Sequence, residues 1–287
     1  MVSPHRQYRL AAQGMGRMIA DAFRRWKHAR RIRAFEAEIA ARSFNPRPHG
    51  LDAPLIVSLT SYGPRLPTVS KVIASLLRQT VSADRVILWL DKADRDRLPP
   101  EVAESGAEIR VCPDWKSYKK LVPTLLEAPD AYIVTADDDV YYGPNWLEGL
   151  TAKAGSGAVC HRAHEITMQG GLPRVYDDWN RNITAPAAGP LIFPTGVGGV
   201  LYAPGVFHPD VTDANKFMRL APSADDVWFY WMHRMNGSAP EKIGGRFRVI
   251  EWPGSQAQNL RATNLGTGGN DRAVAAMIAE YGWPETG

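Results

Sequence analysis

The sequence predicts an α/β protein: a mainly parallel, Rossmann-like sheet covered by helices and preceded by a basic helical arm. Three observations carry this expectation. Between residues 54 and 139, short near-continuous apolar runs alternate with segments of helical period, the pattern of strands buried on both faces. A triplet of aspartates, Asp137, Asp138 and Asp139, follows one such run directly; parallel sheets place their ligands beyond such carboxyl ends. Charge is also divided: residues 1–50 hold eleven Lys/Arg against Asp21, Glu36 and Glu38, a balance of +8, so the rest of this +4 chain carries −4.

The elements follow in order. Met15, Ile19, Ala22, Trp26, Ala29 and Ile32 recur at steps of three and four and predict a helix with one apolar face. Arg24, Arg25, Lys27, Arg30, Arg31 and Arg33 crowd around that face. Such a helix suits an anionic membrane surface through residues 1–45, and equally a packed or paired helix. Prolines and a glycine in "NPRPHG" (45–50) read as a linker, which divides the chain into an arm (1–50) and a main domain (51–287). In the main domain "PLIVSLTSY" (54–62), "RVILWLD" (85–91), "EIRVC" (108–112) and "AYIVTADDD" (131–139) read as strands. "TVSKVIASLLRQ" (68–79) reads as a helix, as does "SYKKLVPTLLEA" (117–128) despite Pro123. No charge occurs from Ile183 to Phe207, but four prolines and five glycines interrupt the segment, so it reads as strand and loop rather than a membrane span.

Composition excludes several classes. The two cysteines, Cys112 and Cys160, have no metal-type spacing, which argues against a disulfide scaffold or a Cys-based zinc site. No apolar run follows the basic N-terminus, so no secretory signal is read, and a reducing, cytoplasmic setting is expected, with the arm resting peripherally on the inner face of the membrane. Nothing in the main domain supports nucleic acid as a partner. The loop after the first strand, "TSYGPRLP", has neither a G-x-G-x-x-G turn nor a P-loop, so substrate phosphates need another counter-charge. Asp137 and Asp139 share a face if the strand continues, with Asp138 pointing away. A carboxylate-held Mg²⁺ or Mn²⁺ would turn their repulsion into coordination, whereas an isolated Asp-x-Asp is more often a solvated turn or cap.

Taken together, "PLIVSLTSYGPR", "VTADDDV" and "PSADDVWFYWM" (222–232), in this order, resemble the GT-A fold glycosyltransferases, specifically the large inverting family that uses nucleotide-sugar donors. The likeness covers roughly residues 54–260. It implies a metal-dependent enzyme moving one sugar from a nucleoside-diphosphate donor to a hydroxyl of a glycan or lipid-linked acceptor, in surface polysaccharide or lipopolysaccharide synthesis. Thr60, Ser61 and Arg65 would line the nucleotide pocket, with Asp91 near the base and Lys119 or Lys120 reaching the phosphates. Asp137 would meet the ribose or the metal, with Asp138 beside it, and Asp139 would be the principal Mn²⁺ or Mg²⁺ ligand. In the second acidic pair Asp226 would be the catalytic base, with Asp225 orienting the site. Gly198 and Gly199, in "PTGVGGVLY" (194–202), would let backbone approach the donor sugar, or else form a tight turn under the sheet. Arg261 is an expected diphosphate clamp, with Asn259 and Asn264 nearby.

Departures limit the likeness. No Gln-x-x-Arg-Trp motif occurs, which argues against a processive polymer synthase, and no His follows His233 to complete a metal site. His161, His164 and Glu165 read as core or acceptor-side residues rather than a metal cluster, since a three-residue step on a strand splits the two histidines between faces. Trp179, Trp228 and Trp231 read as core. Two alternatives remain: a sugar-1-phosphate nucleotidyltransferase, and a non-catalytic binding module on the same fold.

Overall fold

The computed structural model describes residues 4–42, 45–252 and 268–284. The chain divides into two compact units, Met1–Ser43 and Phe44–Gly287, rather than at residue 50. The expected linker belongs to the larger unit: the N–H of Arg47 donates to the Thr80 carbonyl at 2.9 Å, and the N–H of Ser82 to the Arg47 carbonyl at 2.9 Å. The smaller unit is one long helix, α1 (Pro4–Ala41). No described helix is long and apolar enough to cross a membrane.

The larger unit follows the expected alternation. In chain order come β1 (Leu55–Thr60), α2 (Leu66–Leu77), β2 (Arg85–Leu90), α3 (Lys92–Arg95), α4 (Pro100–Ala103), β3 (Glu108–Val111), α5 (Val122–Glu127) and β4 (Tyr132–Ala136). Then come α6 (Trp146–Thr151), β5 (Ala158–Cys160), β6 (Ala163–Glu165), β7 (Met168–Gln169), β8 (Leu172–Pro173), β9 (Ala187–Ala188), β10 (Ile192–Pro194) and β11 (Val200–Tyr202). The unit ends with α7 (Ala214–Leu220), α8 (Asp225–Met235), β12 (Glu241–Lys242) and α9 (Gly269–Tyr281). The main sheet has the order β3-β2-β1-β4-β11-β5-β12-β9. Its β3-β2-β1-β4 half is wholly parallel, and β11 then pairs antiparallel with β4 and with β5. The chain runs outward from β1 to β3 and returns to β4 on the other side of β1. The carboxyl ends of β1 and β4 therefore flank a reversal point, where α/β sheets open a ligand crevice.

Pro123 shows why one expected helix is two elements. A 3₁₀ turn covers Lys116–Lys120, and α5 begins at Val122 with Pro123 in its first turn, where a missing N–H costs nothing. The uncharged stretch supplies β9, β10 and β11, as strand and loop. Helix α8 is buried on nearly all sides: Val227, Trp228, Phe229, Tyr230, Trp231 and Met232 are each at most 1% exposed. Each such side chain stabilises the fold by roughly 1.5–3 kcal/mol, so the helix carrying Asp225 and Asp226 is anchored rigidly. Trp228 and Trp231 donate their indole N–H groups to the carbonyls of Val211 and Gly282, and with the buried Trp179 they are core residues, as expected.

Candidate active site

Strand β4 ends at Ala136, so the aspartate triplet lies in the turn beyond it rather than on the strand. This overturns the expectation that Asp138 points away. Asp138 is buried and clamps the loop after β1: the Ser61 hydroxyl donates to it at 2.7 Å, and Nη1 of Arg65 at 2.6 Å. Burial raises the Asp138 carboxyl above its ordinary value, while Arg65 and Ser61 pull it down. Ser61 and Arg65 thus line the cavity already engaged, as does Thr60, whose hydroxyl donates to the Trp89 carbonyl at 2.8 Å. The Asp137 N–H donates to the Tyr142 hydroxyl at 2.7 Å, which fixes the start of the turn.

Asp91 caps α3, accepting from the Asp94 N–H at 3.0 Å and from Lys119 Nζ at 3.1 Å. The Asp94 bond first, and Lys119 with it, holds the Asp91 carboxyl below its usual range. Lys119 is therefore committed to Asp91, with Asp114 also 3.4 Å away. Lys120 instead joins the two acidic motifs: its Nζ lies 3.4 Å from Asp137 and 3.0 Å from Asp225. Burial pulls this ammonium down, but Asp225, Asp137 and Asp226 together hold it well above its ordinary value.

Asp225 and Asp226 begin α8, and no side chain caps the helix. Asp226 accepts the Gly196 N–H at 2.9 Å and lines the cavity. Burial and then the neighbouring Asp225 charge push its carboxyl up to about 7.

The glycines also need correction. Gly198 and Gly199 do not line the cavity. A Cβ on Gly198 would meet Phe247, and one on Gly199 would fall against the Trp146 ring, while Trp146 donates its indole N–H to the Gly198 carbonyl at 2.6 Å. They form the tight turn into β11. The close approach falls to Gly196, where a Cβ would lie 2.6 Å from Lys120 Nζ and 2.9 Å from the Asp226 carboxylate. Arg261, Asn259 and Asn264 lie outside the described residues.

These groups line one cavity of about 900 Å³, large for a small-molecule site. Sequence reasoning missed several of its walls. Glu251 reaches the cavity because the Trp252 N–H bonds the Asp139 carbonyl at 3.0 Å and the Tyr141 N–H bonds the Ile250 carbonyl at 2.8 Å. A lone Glu far along the chain carries no signal of that. Arg162, Tyr176 and Arg181 are likewise brought in by the small β6–β10 sheet and its loops. His161 bonds the Trp146 carbonyl and His164 accepts from the Asn182 N–H.

The residues present suit a hard divalent cation as a two-carboxylate site rather than a closed one. Among the described residues no three His, Cys, Asp or Glu side chains gather as ligands. Asp139 is pushed up to about 7 by burial and then by the Asp137 charge, against the pull of Arg65, whose Nη1 lies 3.1 Å away; a cation would relieve what repulsion remains. Two carboxylates completed by substrate phosphate oxygens is a usual way to hold Mg²⁺.

No protein-family model matches the chain, and neither does any curated protein. Solved structures of low similarity do. One is 4-diphosphocytidyl-2C-methyl-D-erythritol synthase, at 13% identity and a TM-score of 0.43 over 79% of this chain and 100% of that one. The synthase of the same name from Anaerococcus prevotii gives 13% and 0.46 over 75% and 96%. A CMP:2-keto-3-deoxy-manno-octonic acid synthetase complexed with CTP gives 12% and 0.42 over 75% and 100%. Likeness at this level carries no argument about activity.

Proposed function

We propose that this chain is a glycosyltransferase that moves a sugar from a nucleoside-diphosphate donor to a hydroxyl of a second substrate in this cavity. The observation behind the reading is Asp226: a carboxylate at a helix start that makes no capping bond, faces the cavity, and has a proton affinity near neutrality. Such a group suits general-base work, since its pKa lies close to working pH. In the reaction the acceptor oxygen attacks the anomeric carbon as Asp226 takes its proton. The bond to the diphosphate breaks, and its electron pair leaves on the phosphate oxygen. Lys120, tied to both acidic motifs, fixes their spacing. Asp137 and Asp139 would hold a divalent cation, which when bound supplies positive charge to the departing diphosphate.

The second reading is nucleotidyl transfer onto a sugar phosphate. The names of the similar solved structures, one of them holding CTP, lie nearer to this reading than to glycosyl transfer. Two features of this chain favour the first. The segment after β1, residues 61–65 and the start of α2, lacks a glycine-rich phosphate cradle. A phosphate nucleophile is also already ionised at neutral pH and gives Asp226 no proton to take. One paired assay separates the readings. Nucleotide sugars with Mn²⁺ should release nucleoside diphosphate, and Asp226→Asn should stop it. Release of pyrophosphate from nucleoside triphosphates and sugar 1-phosphates would establish the second reading instead, and binding without either product would leave a binding module.

A further inference from the structure

One end of the cavity is lined by cations as well as by aspartates. Arg162, between β5 and β6, donates from Nη1 to the Thr195 hydroxyl at 2.7 Å. Arg181 pairs through Nη2 with Asp177 on the outer side, and its guanidinium lies 5.9 Å from the Tyr176 ring centre. Both arginines, Tyr176 and His164 line the cavity, and Asp177 does not. His164 Nδ1 accepts the Asn182 N–H at 2.9 Å, so the neutral ring carries its proton on Nε2 and presents a donor.

We infer that this end is a subsite for an anionic group of the acceptor, a phosphate or carboxylate, gripped by Arg162 and Arg181 beside Tyr176 and His164. The inference rests on the reading of Asp226 as the base that faces the acceptor. Asp177 offsets part of the Arg181 charge from outside the cavity, while two guanidiniums, a phenol and an imidazole line one part of it. A wall rich in donors matches an oxyanion, whereas a neutral sugar hydroxyl also requires acceptors. The electrostatics agree with the geometry. Burial first, and then Arg162 and Arg181, depress the His164 imidazole to about 4, so it stays a neutral donor at working pH. Burial first, and then Asp226, raises the Tyr176 hydroxyl, while Arg162 and Arg181 pull it down. Nucleotidyl transfer would also use an anionic acceptor, so the subsite can be tested whichever bond is made.

The test is calorimetric titration of the full chain, saturated with Mn²⁺ and the tightest-binding nucleoside diphosphate so that the donor phosphate site is filled. The probes are glucose 6-phosphate, glucuronate, inorganic phosphate and glucose. The sugar phosphate or the uronate should bind at least about tenfold more tightly than glucose, the worth of a charge-assisted hydrogen bond. Which of the two binds better identifies phosphate or carboxylate as the group. Inorganic phosphate shows whether the anion suffices without its sugar. Arg181→Gln, on the outer rim, should weaken the anionic probe about tenfold or more and leave nucleoside diphosphate affinity unchanged. Arg162→Lys keeps the charge but loses the planar fork and should weaken it less. Equal binding of glucose, an unchanged anion affinity in Arg181→Gln, or a loss of nucleoside diphosphate affinity in that variant would each overturn the inference. If no nucleoside diphosphate binds, the proposed function falls, and the same titration without it still decides the subsite.

Discussion

Asp226 holds the conflict between stability and function in this site. Its carboxyl is raised from 3.8 to about 7, so the folded chain binds more protons than the unfolded chain between those values. Stability from this group is full below about pH 4 and is lost as pH rises through 7. Asp226→Asn cannot ionise and keeps an oxygen for the Gly196 N–H. It should therefore raise the melting temperature at pH 8 by several degrees, on the order of 1–3 kcal/mol after allowing for its coupling to Asp225 and Lys120. That gain should vanish near pH 4, while transfer falls by about 10²–10⁴. Thermal unfolding at both pH values checks it; a variant less stable than wild type at pH 8 would show that the carboxylate is structural. Asp139 poses the cation question at the same scale. Nucleoside diphosphate affinity should rise with Mn²⁺, and Asp139→Ala should remove most of that rise. Equal affinity with and without chelator in the wild type would remove the metal from the mechanism.

The turn between β10 and β11 separates structural from functional glycine. Gly199 has φ +86° and packs against Trp146, with the Thr135 carbonyl 3.0 Å from where a Cβ would sit. Gly199→Ala should cost roughly 2–4 kcal/mol through backbone strain and overpacking. Gly196 has an ordinary φ, and the three atoms nearest its would-be Cβ are ends of Lys120 and Asp226. Gly196→Ala should fold within about 1 kcal/mol of wild type yet lose much of its transfer activity, because both functional groups must move. Parallel denaturation and turnover measurements test the contrast; matching losses in the two variants would refute it. The same turn shows what sequence can and cannot reveal. "PTGVGGVLY" announces a tight turn, but which glycine faces the cavity depends on the register of β11 against β4. The strands from Leu55 to Ala136 were legible because a buried parallel strand is apolar throughout. Asp138 was not, because the chain leaves the strand at Ala136 and the period-two rule stops there. Arg162, Arg181 and Glu251 come from distant segments that carry no pattern of their own, and only the folded sheet brings them to one cavity.

Over the whole molecule, most of the basic surplus of residues 1–50 falls in the smaller unit, Met1–Ser43, with Arg47 in the larger one. The larger unit holds its acidic excess partly inside the cavity, where Arg65 and Lys120 balance it. The smaller unit, α1, has its surplus of cations on one helix about 57 Å long at 1.5 Å per residue. Three of its large apolar side chains are out in solvent, Met18 72% exposed, Phe23 53% and Trp26 51%, whereas Ile32 and Ile39 are buried. Phe23 and Trp26 stack at 5.8 Å, with Lys27 4.8 Å from the Phe23 ring centre and Arg30 5.8 Å from that of Trp26. Aromatic rings flanked by cations suit the headgroup boundary of an anionic bilayer, where rings enter the interface and ammonium and guanidinium groups meet lipid phosphates. Pairing with a second helix would use the apolar stripe but gain nothing from an anionic surface. The two accounts diverge with salt and lipid charge. The full chain should sediment with vesicles containing anionic lipid and not with zwitterionic ones. Binding should weaken sharply between low salt and 0.5 M, as screening shortens the reach of the charges. Phe23→Ala with Trp26→Ala should reduce binding at every salt concentration, since the apolar part of the energy is not screened. Arg24→Gln with Arg25→Gln should instead flatten the salt dependence. Equal sedimentation with both vesicle types, or a concentration-dependent dimer abolished by the Phe23 and Trp26 substitutions, would assign α1 to protein contacts.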